Sequence, residues 1–288
     1  MIEVRQPPGV ATAANAPSLL AAGYRGLTAV CESLQVDIAA QDAPTAPGQV
    51  TAAELVDDPD LTAAFVGGEA ERLLHRHGRP VRRDVAASRA LHAYAWNVSL
   101  LMSGAWYREH RVPRVRPQDV RVSLATGALE VTVSGAFACL PDDPARELPG
   151  VRVLPHEEAL HAELRAAVAD HVRPLLAAVG PHIRRGPRAL WGMIGDDLVS
   201  GVWYLGRVLG EEERALARAE ALLPTALPPF PDGAGFRRLA AAGGRSYPTR
   251  TRSGCCLYYT IEPADACLTC PRTCDAERLR RLTDEDAS

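Results

Sequence analysis

Residues 254 to 274 read GCCLYYTIEPADACLTCPRTC and hold five of the chain's seven cysteines: Cys255, Cys256, Cys267, Cys270 and Cys274. The first four form the pattern C-C-x10-C-x2-C. A C-x2-C step lets two sulfurs converge on one metal ion or on one end of a cluster. Four thiolates satisfy either a tetrahedral zinc ion or a 2Fe–2S cluster. The adjacent pair discriminates between these. Zinc knuckles supply their ligands in C-x2-4-C pairs, because consecutive side chains diverge and grip one ion badly. A two-iron cluster is broader, and diverging sulfurs can reach different parts of it. The spacing therefore favours a cluster, with a zinc-knuckle binding module as the alternative.

Which cysteine chemistry is open depends on the rest of the chain. At 288 residues, 47% hydrophobic and 23% charged, it can bury a full core as one large domain or two modest ones. All 32 basic residues are arginine, and the net charge of -3 gives no global field for nucleic acid or an anionic membrane. The first 30 residues lack a basic stretch followed by a continuous apolar one, and no later run reads as a membrane span. The expected location is cytoplasmic, where structural disulfides are disfavoured; the odd cysteine count agrees. No G-x-G-x-x-G fingerprint lies in a strand-to-helix setting, so electrons are expected from an external ferredoxin or flavoreductase rather than from bound NAD(P)H.

The elements that must position the cysteines are mostly helical. The spacing predicts helices over residues 17–34, 54–67, 69–77 and 84–108, the last with Asp84 as N-cap, and a Pro/Gly-punctuated loop over 41–48. Val120, Val122 and Leu124, then Leu129, Val131 and Val133, alternate about Ala125–Ala128 and predict a β-hairpin. A helix from Leu160 to Val179 is expected to kink or break at Pro174. The segment from Pro187 to Leu209 is apolar nearly all round with four glycines, which predicts a central helix closely approached by neighbouring backbones. One more helix is expected over 211–223, before a proline-rich break. The fold class is α+β: a helical body with a small antiparallel sheet over 1–243, and a cysteine-rich segment over 244–288 too short for a core of its own.

The run Arg252-Ser253-Gly254-Cys255-Cys256-Leu257-Tyr258-Tyr259, with Cys267-Leu268-Thr269-Cys270-Pro271 after it, resembles the C-terminal cluster motif of FhuF-like ferric-siderophore reductases. Leu190-Trp191-Gly192 is more weakly similar to that family's Trp-containing helix. The resemblance implies a body related to the C-terminal region of siderophore synthetases, with a 2Fe–2S cluster ligated by Cys255, Cys256, Cys267 and Cys270. It further implies one-electron reduction of a ferric siderophore, expected to be of hydroxamate type, with release of Fe(II). A siderophore-binding or iron-sensing protein with a non-catalytic cluster is the other reading of the same residues.

Around this motif, Cys274 is either a spare thiol or a substitute for one of the paired cysteines. Arg250 and Arg252 are candidates for tuning the cluster or docking the donor, against a plain reading as solvated surface charge. Cys31, Cys139, Trp191 and Trp203 read as core residues, and Tyr258 and Tyr259 as packing for the segment. His75 and His77 read as a solvated turn, and His156 and His161 do not share a helical face. Asp196 and Asp197, mid-helix in an apolar run, read as satisfied buried carboxylates or as a cap for a neighbouring loop.

Overall fold

The computed structural model describes residues 15–40, 43–241, 243–264 and 266–286. The first 14 residues, part of the stretch read as lacking a leader, lie outside these, as do Gln41 and Asp42 of the expected loop. The body is organised around α4 (Arg83–Glu109), whose residues are buried on nearly every face. It packs against α1 (Ala16–Val30), α3 (Pro59–His77), α5 (Glu157–Ile183) and α6 (Pro187–Val208), and α7 (Glu212–Leu222) lies against α6. The small sheets flank this helical core. The expected hairpin is present as β4 (Val120–Ser123) and β5 (Leu129–Thr132), antiparallel with Val122 opposite Leu129. β2 (Gln49–Thr51) adds to β4, and β1 (Val36–Ala39) adds parallel to β5, so this sheet is mixed. A second sheet joins β3 (Val112–Pro113), β6 (Phe137–Cys139) and β7 (Val151–Val153).

Three local expectations are corrected. The helix break expected at Gly67 and Gly68 falls instead between α2 (Ala52–Asp57) and α3, where Asp58 caps the amides of Asp60 and Leu61 ahead of Pro59. An N-cap carboxylate followed by proline is a stronger stop-and-start signal than two glycines in an amphipathic run. Asp84 lies in the first turn of α4, not at its cap, which is Arg82; Arg82 Nη2 pairs with the Asp84 carboxylate at 2.7 Å. α5 runs through Pro174 and Pro181 without interruption. A proline costs a helix about 3 kcal/mol, but Leu175, Leu176 and Val179 just beyond Pro174 are all buried, and each contributes about 1.5–3 kcal/mol by burial.

The C-terminal part leaves the body through β8 (Phe236–Ala240) and β9 (Ser246–Arg250), an antiparallel pair whose turn contains the expected boundary at 243/244. It ends in α8 (Asp275–Asp286).

Two predictions follow from the packing. A Cβ at Gly67 meets nothing within 4 Å, whereas one at Gly68 would stand 2.2 Å from the Leu124 carbonyl oxygen. Gly67→Ala is expected to stabilise by up to about 1 kcal/mol through helix propensity, and Gly68→Ala to destabilise by about 1–3 kcal/mol through overpacking; denaturant midpoints read both signs. The second concerns His171, whose Nδ1 donates to the Val115 carbonyl at 2.9 Å while Nε2 accepts from the Tyr94 hydroxyl at 2.8 Å. Burial pushes this imidazole from 6.5 down to about 4. The unfolded chain therefore binds the proton first, and stability present above pH 6.5 is lost as pH falls towards 4. The loss is about 3 kcal/mol, and it should vanish from the pH dependence of urea unfolding in His171→Gln.

Candidate metal centre

The cysteine segment is seated by four charges buried together. α6 supplies Asp196 and Asp197, and the end of β9 and the residues after it supply Arg250 and Arg252; all four are buried. Arg250 Nη2 donates to Asp196 Oδ1 at 2.7 Å, its Nε to the Ala234 carbonyl at 2.8 Å and its Nη1 to Ser200 Oγ at 3.1 Å. The other Asp196 oxygen accepts from the backbone N–H of Gly254 at 2.7 Å, one residue before the cysteine pair. Arg252 pairs with Asp197 through Nη2, and its backbone N–H donates to the Thr269 carbonyl at 2.9 Å, tying the two halves of the motif together. His92 on α4 meets Asp197 at 2.9 Å. Asp196 is thus a satisfied buried carboxylate and a cap for the neighbouring loop at once.

Burial works against both members of the Asp196–Arg250 pair, raising the carboxyl and lowering the guanidinium. At the second pair burial also opposes charge but is outweighed. His92 and Arg252 hold Asp197 below the usual carboxylate range, and Asp197 and Asp196 hold Arg252 above its ordinary value. Burial keeps the His92 imidazole below its usual value despite Asp197.

Close approach of backbones completes the seat. Gly192 on α6 faces Ser253 and Gly254, and a Cβ at Gly254 would stand 2.5 Å from the Met193 nitrogen. Past the pair, Leu257 adopts a left-handed φ of 65°. That turn aims its N–H at Cys255 Sγ, 3.4 Å away, while its side chain enters the core. Left-handed backbone at a branched apolar residue costs free energy and concentrates at functional sites. From the first turn of α8, the buried Arg278 gathers the second half of the loop. Its Nε donates to the Leu268 carbonyl at 2.6 Å and its Nη2 to those of Cys270 and Thr273 at 3.0 and 3.1 Å. Tyr258 packs edge-on to His77, which lies half-buried in the last turn of α3 rather than in a solvated turn.

Cys270 is buried, Cys255 and Cys256 are half-buried, and Cys267 and Cys274 are exposed. Cys255, Cys256, Cys267 and Cys270 are close enough to act on one another's charge. Burial raises the Cys255 thiol, and Cys256 and Cys270 raise it further, against Arg185. Cys267 is exposed as a residue, yet crowding at its sulfur raises the thiol, as do Cys256 and Cys270, against Arg252. Among the described residues, no three His, Cys, Asp or Glu side chains gather closely enough to hold one metal ion. The four neighbouring thiols lie in two stretches of loop, and thiolate is the donor that a 2Fe–2S cluster takes. Arg252 adds a buried Nε–H that has no hydrogen-bond partner and lies 3.8 Å from Asp196 Oδ2, on a side chain that feels Cys267 and Cys256.

Arg250 and Arg252 were named from sequence, but their burial and their aspartate partners were not. An acid pair inside an apolar helix requires cationic partners, so Arg-x-Arg before the cysteines was a readable match. Arg278 carried no comparable signal. Cys31 and Cys139 are buried in the core away from the segment, and His156 caps α5. Asp196→Ala leaves Arg250 buried without its carboxylate and is expected to cost about 3–5 kcal/mol. The double variant Asp196→Ala/Arg250→Ala should cost clearly less than the sum of the singles in denaturant melts.

The family model described as the FhuF 2Fe-2S C-terminal domain matches residues 252–272, from Arg252 through the C-x2-C step. Comparison with curated proteins yields no match. Residues 252–272 thus match the FhuF 2Fe-2S C-terminal domain, and the cofactor that this domain indicates is a 2Fe–2S cluster.

Proposed function

We propose that the protein is a cytoplasmic ferric-siderophore reductase, in which one electron passes to Fe(III) held by a siderophore and the product Fe(II) is released. The observation that carries this reading is the FhuF 2Fe–2S domain at 252–272, with its motif tied to the body through buried ion pairs. Cys255, Cys256, Cys267 and Cys270 hold the cluster, and exposed Cys274 stands outside the set. Bound there, a 2Fe–2S cluster gives and accepts one electron at a time. Siderophores grip Fe(III), a hard ion, through oxygen donors, and gaining one electron weakens that grip. An external ferredoxin or flavoreductase restores the electron.

The residues of the chain set the conditions. Arg252 keeps its charge beside Cys256 and Cys267, and positive charge near the sulfurs favours the reduced state. The Leu257 N–H at Cys255 Sγ acts in the same direction. Because Arg250 and Arg252 are buried, their part is tuning and anchoring rather than contact with a donor protein. The body over 1–243 docks the substrate and 244–288 delivers the electron.

Anaerobically purified protein is expected to be brown, with visible absorption that bleaches on one-electron reduction and a rhombic paramagnetic signal in the reduced form. Cys267→Ser should lose the colour and bring ferric-chelate reduction to background, and Cys274→Ser should retain both. A colourless protein with one bound zinc overturns the reading. Unchanged reduction of ferric chelates by Cys267→Ser would move it to iron sensing.

A further inference from the structure

A cavity of about 540 Å³ lies between α3, α4, β1 and the β4–β5 turn, within the range of about 300–1,000 Å³ usual for small-molecule sites. Its charged lining consists of Asp37, Glu69, Arg72, Arg76 and Arg89. Two of these are already engaged: Arg72 pairs with Glu69 at 2.8 Å and donates to the carbonyls of Leu124 and Ala125. Arg76 is exposed and makes no hydrogen bond or ion pair among the described residues. Arg89 is half-buried; its Nε is buried without a hydrogen-bond partner, and its guanidinium lies 5.0 Å from the centroid of the Tyr258 ring. Tyr258 stands two residues beyond Cys256. Arg89 therefore faces the cavity on one side and the cysteine segment on the other.

We propose that this cavity is where the ferric chelate docks, and that it takes an anionic chelate, of catecholate or carboxylate type, in preference to a neutral trihydroxamate. The inference rests on the ferric-chelate reading of the chain and names the site and substrate class for it. The charges without an ion-pair partner are two guanidiniums, that of Arg89 resting on the Tyr258 ring, against the single carboxylate of Asp37, so the cavity offers net positive charge. Guanidiniums match the paired oxygens of carboxylates and catecholates in a fork, and a buried N–H without a partner recovers its desolvation cost when such an oxygen arrives. A neutral hydroxamate complex leaves both arginines uncompensated. Arg89 stands between a chelate in the cavity and the ring of Tyr258, which does not itself line the cavity. A second cavity, of about 420 Å³, is lined by Glu109, Asp142 and Asp143 among others. Arg111 pairs there with Glu109 and Asp143, which leaves Asp142 and an excess of negative charge.

Gallium(III) chelates keep the charge and shape of the iron(III) complexes and cannot be reduced, so they test binding apart from electron transfer. Calorimetry on the full-length, cluster-loaded protein compares Ga(III) tris-catecholate, Ga(III) citrate and Ga(III) trihydroxamate. At least one anionic complex is expected to bind, more weakly as salt rises, and about tenfold more weakly in Arg76→Gln. Whichever of the two does so identifies the donor class. The trihydroxamate should bind at least about tenfold more weakly than that complex and ignore Arg76→Gln. Arg89→Gln should weaken anion binding further. Because Arg89 also packs on Tyr258, Arg76, with no structural contact to lose, is the decisive position. Ala93→Trp, at an exposed α4 position lining the cavity, should abolish binding with the visible spectrum unchanged. Full binding in Ala93→Trp, trihydroxamate binding as tight as that of the anionic complexes, or anion binding indifferent to Arg76→Gln overturns the proposal. If the gallium pattern holds but the ferric forms are not reduced, the reductase reading falls and the docking site stands. If ferric chelates are reduced with no dependence on Arg76 or Ala93, the converse is true.

Discussion

In the C-terminal segment, the seating of the cysteine pair depends on two carboxylates in an apolar helix meeting two guanidiniums from the end of β9 and the residues just after it. A stretch of this length cannot bury enough apolar surface to hold its own conformation. It must borrow rigidity from the body, and the Asp196–Arg250 and Asp197–Arg252 pairs provide it. Isolated, each charge would be too costly to bury, and even paired they contribute little net stability compared with well-packed apolar residues. Their value is directional. A hydrophobic contact tolerates sliding, whereas Asp196 must meet Arg250 with one oxygen and the Gly254 N–H with the other. That double demand fixes the cysteine pair relative to α6, and the glycines at 192 and 254 admit the approach.

The second half of the motif is held by a different device of the same kind. Arg278 collects three backbone carbonyls from the loop carrying Cys267 and Cys270, and the Arg252 backbone N–H bonds the Thr269 carbonyl across the gap. Four of the loop's carbonyls are thereby paired without regular secondary structure, as an irregular, partly buried turn requires. What the chain alone leaves unbalanced is the thiols. Burial raises Cys255 and Cys267, so both hold their protons more firmly than a free thiol does.

The parts of this arrangement that could be read in the sequence were those set by local spacing. C-C-x10-C-x2-C, the all-round apolar pattern of α6 and the alternation of β4 and β5 each express a rule that acts over a few residues. The differences arise where packing outweighs a local rule or where one local signal outweighs another, as the Asp58 cap ahead of Pro59 outweighs two glycines. Pro174 stays within α5 because buried residues beyond it offset the lost hydrogen bond, and Gly68 stays within α3 because the Leu124 carbonyl occupies the place of its side chain. The anchoring role of Arg250 and Arg252 lay between these cases. Their positions before the cysteines were noticed, but pairing them with Asp196 and Asp197, more than fifty residues away, needs the fold. The cavity between α3 and α4 is built from four separated stretches of chain and has no linear signature.

Net charge shows how an average conceals a site. The chain sums to -3, which taken alone argues against any affinity for anions. Yet the surroundings of the cysteines are cationic. Arg185 acts on Cys255 and Arg252 on Cys267; Arg272 covers Tyr259 at 4.3 Å, Arg89 covers Tyr258, and Arg79 donates to the Ile261 carbonyl. A centre built from four thiolates is negative and becomes more so by one charge on reduction, so guanidiniums concentrated there oppose the cost of adding the electron. The same concentration extends through Arg89 into the cavity. A single residue type, arginine, thus serves two purposes here: rigid forks for the buried pairs and fixed charge at the cysteine segment. Lysine could supply the charge but not the planar two-point geometry that the aspartates and carbonyls of this segment engage.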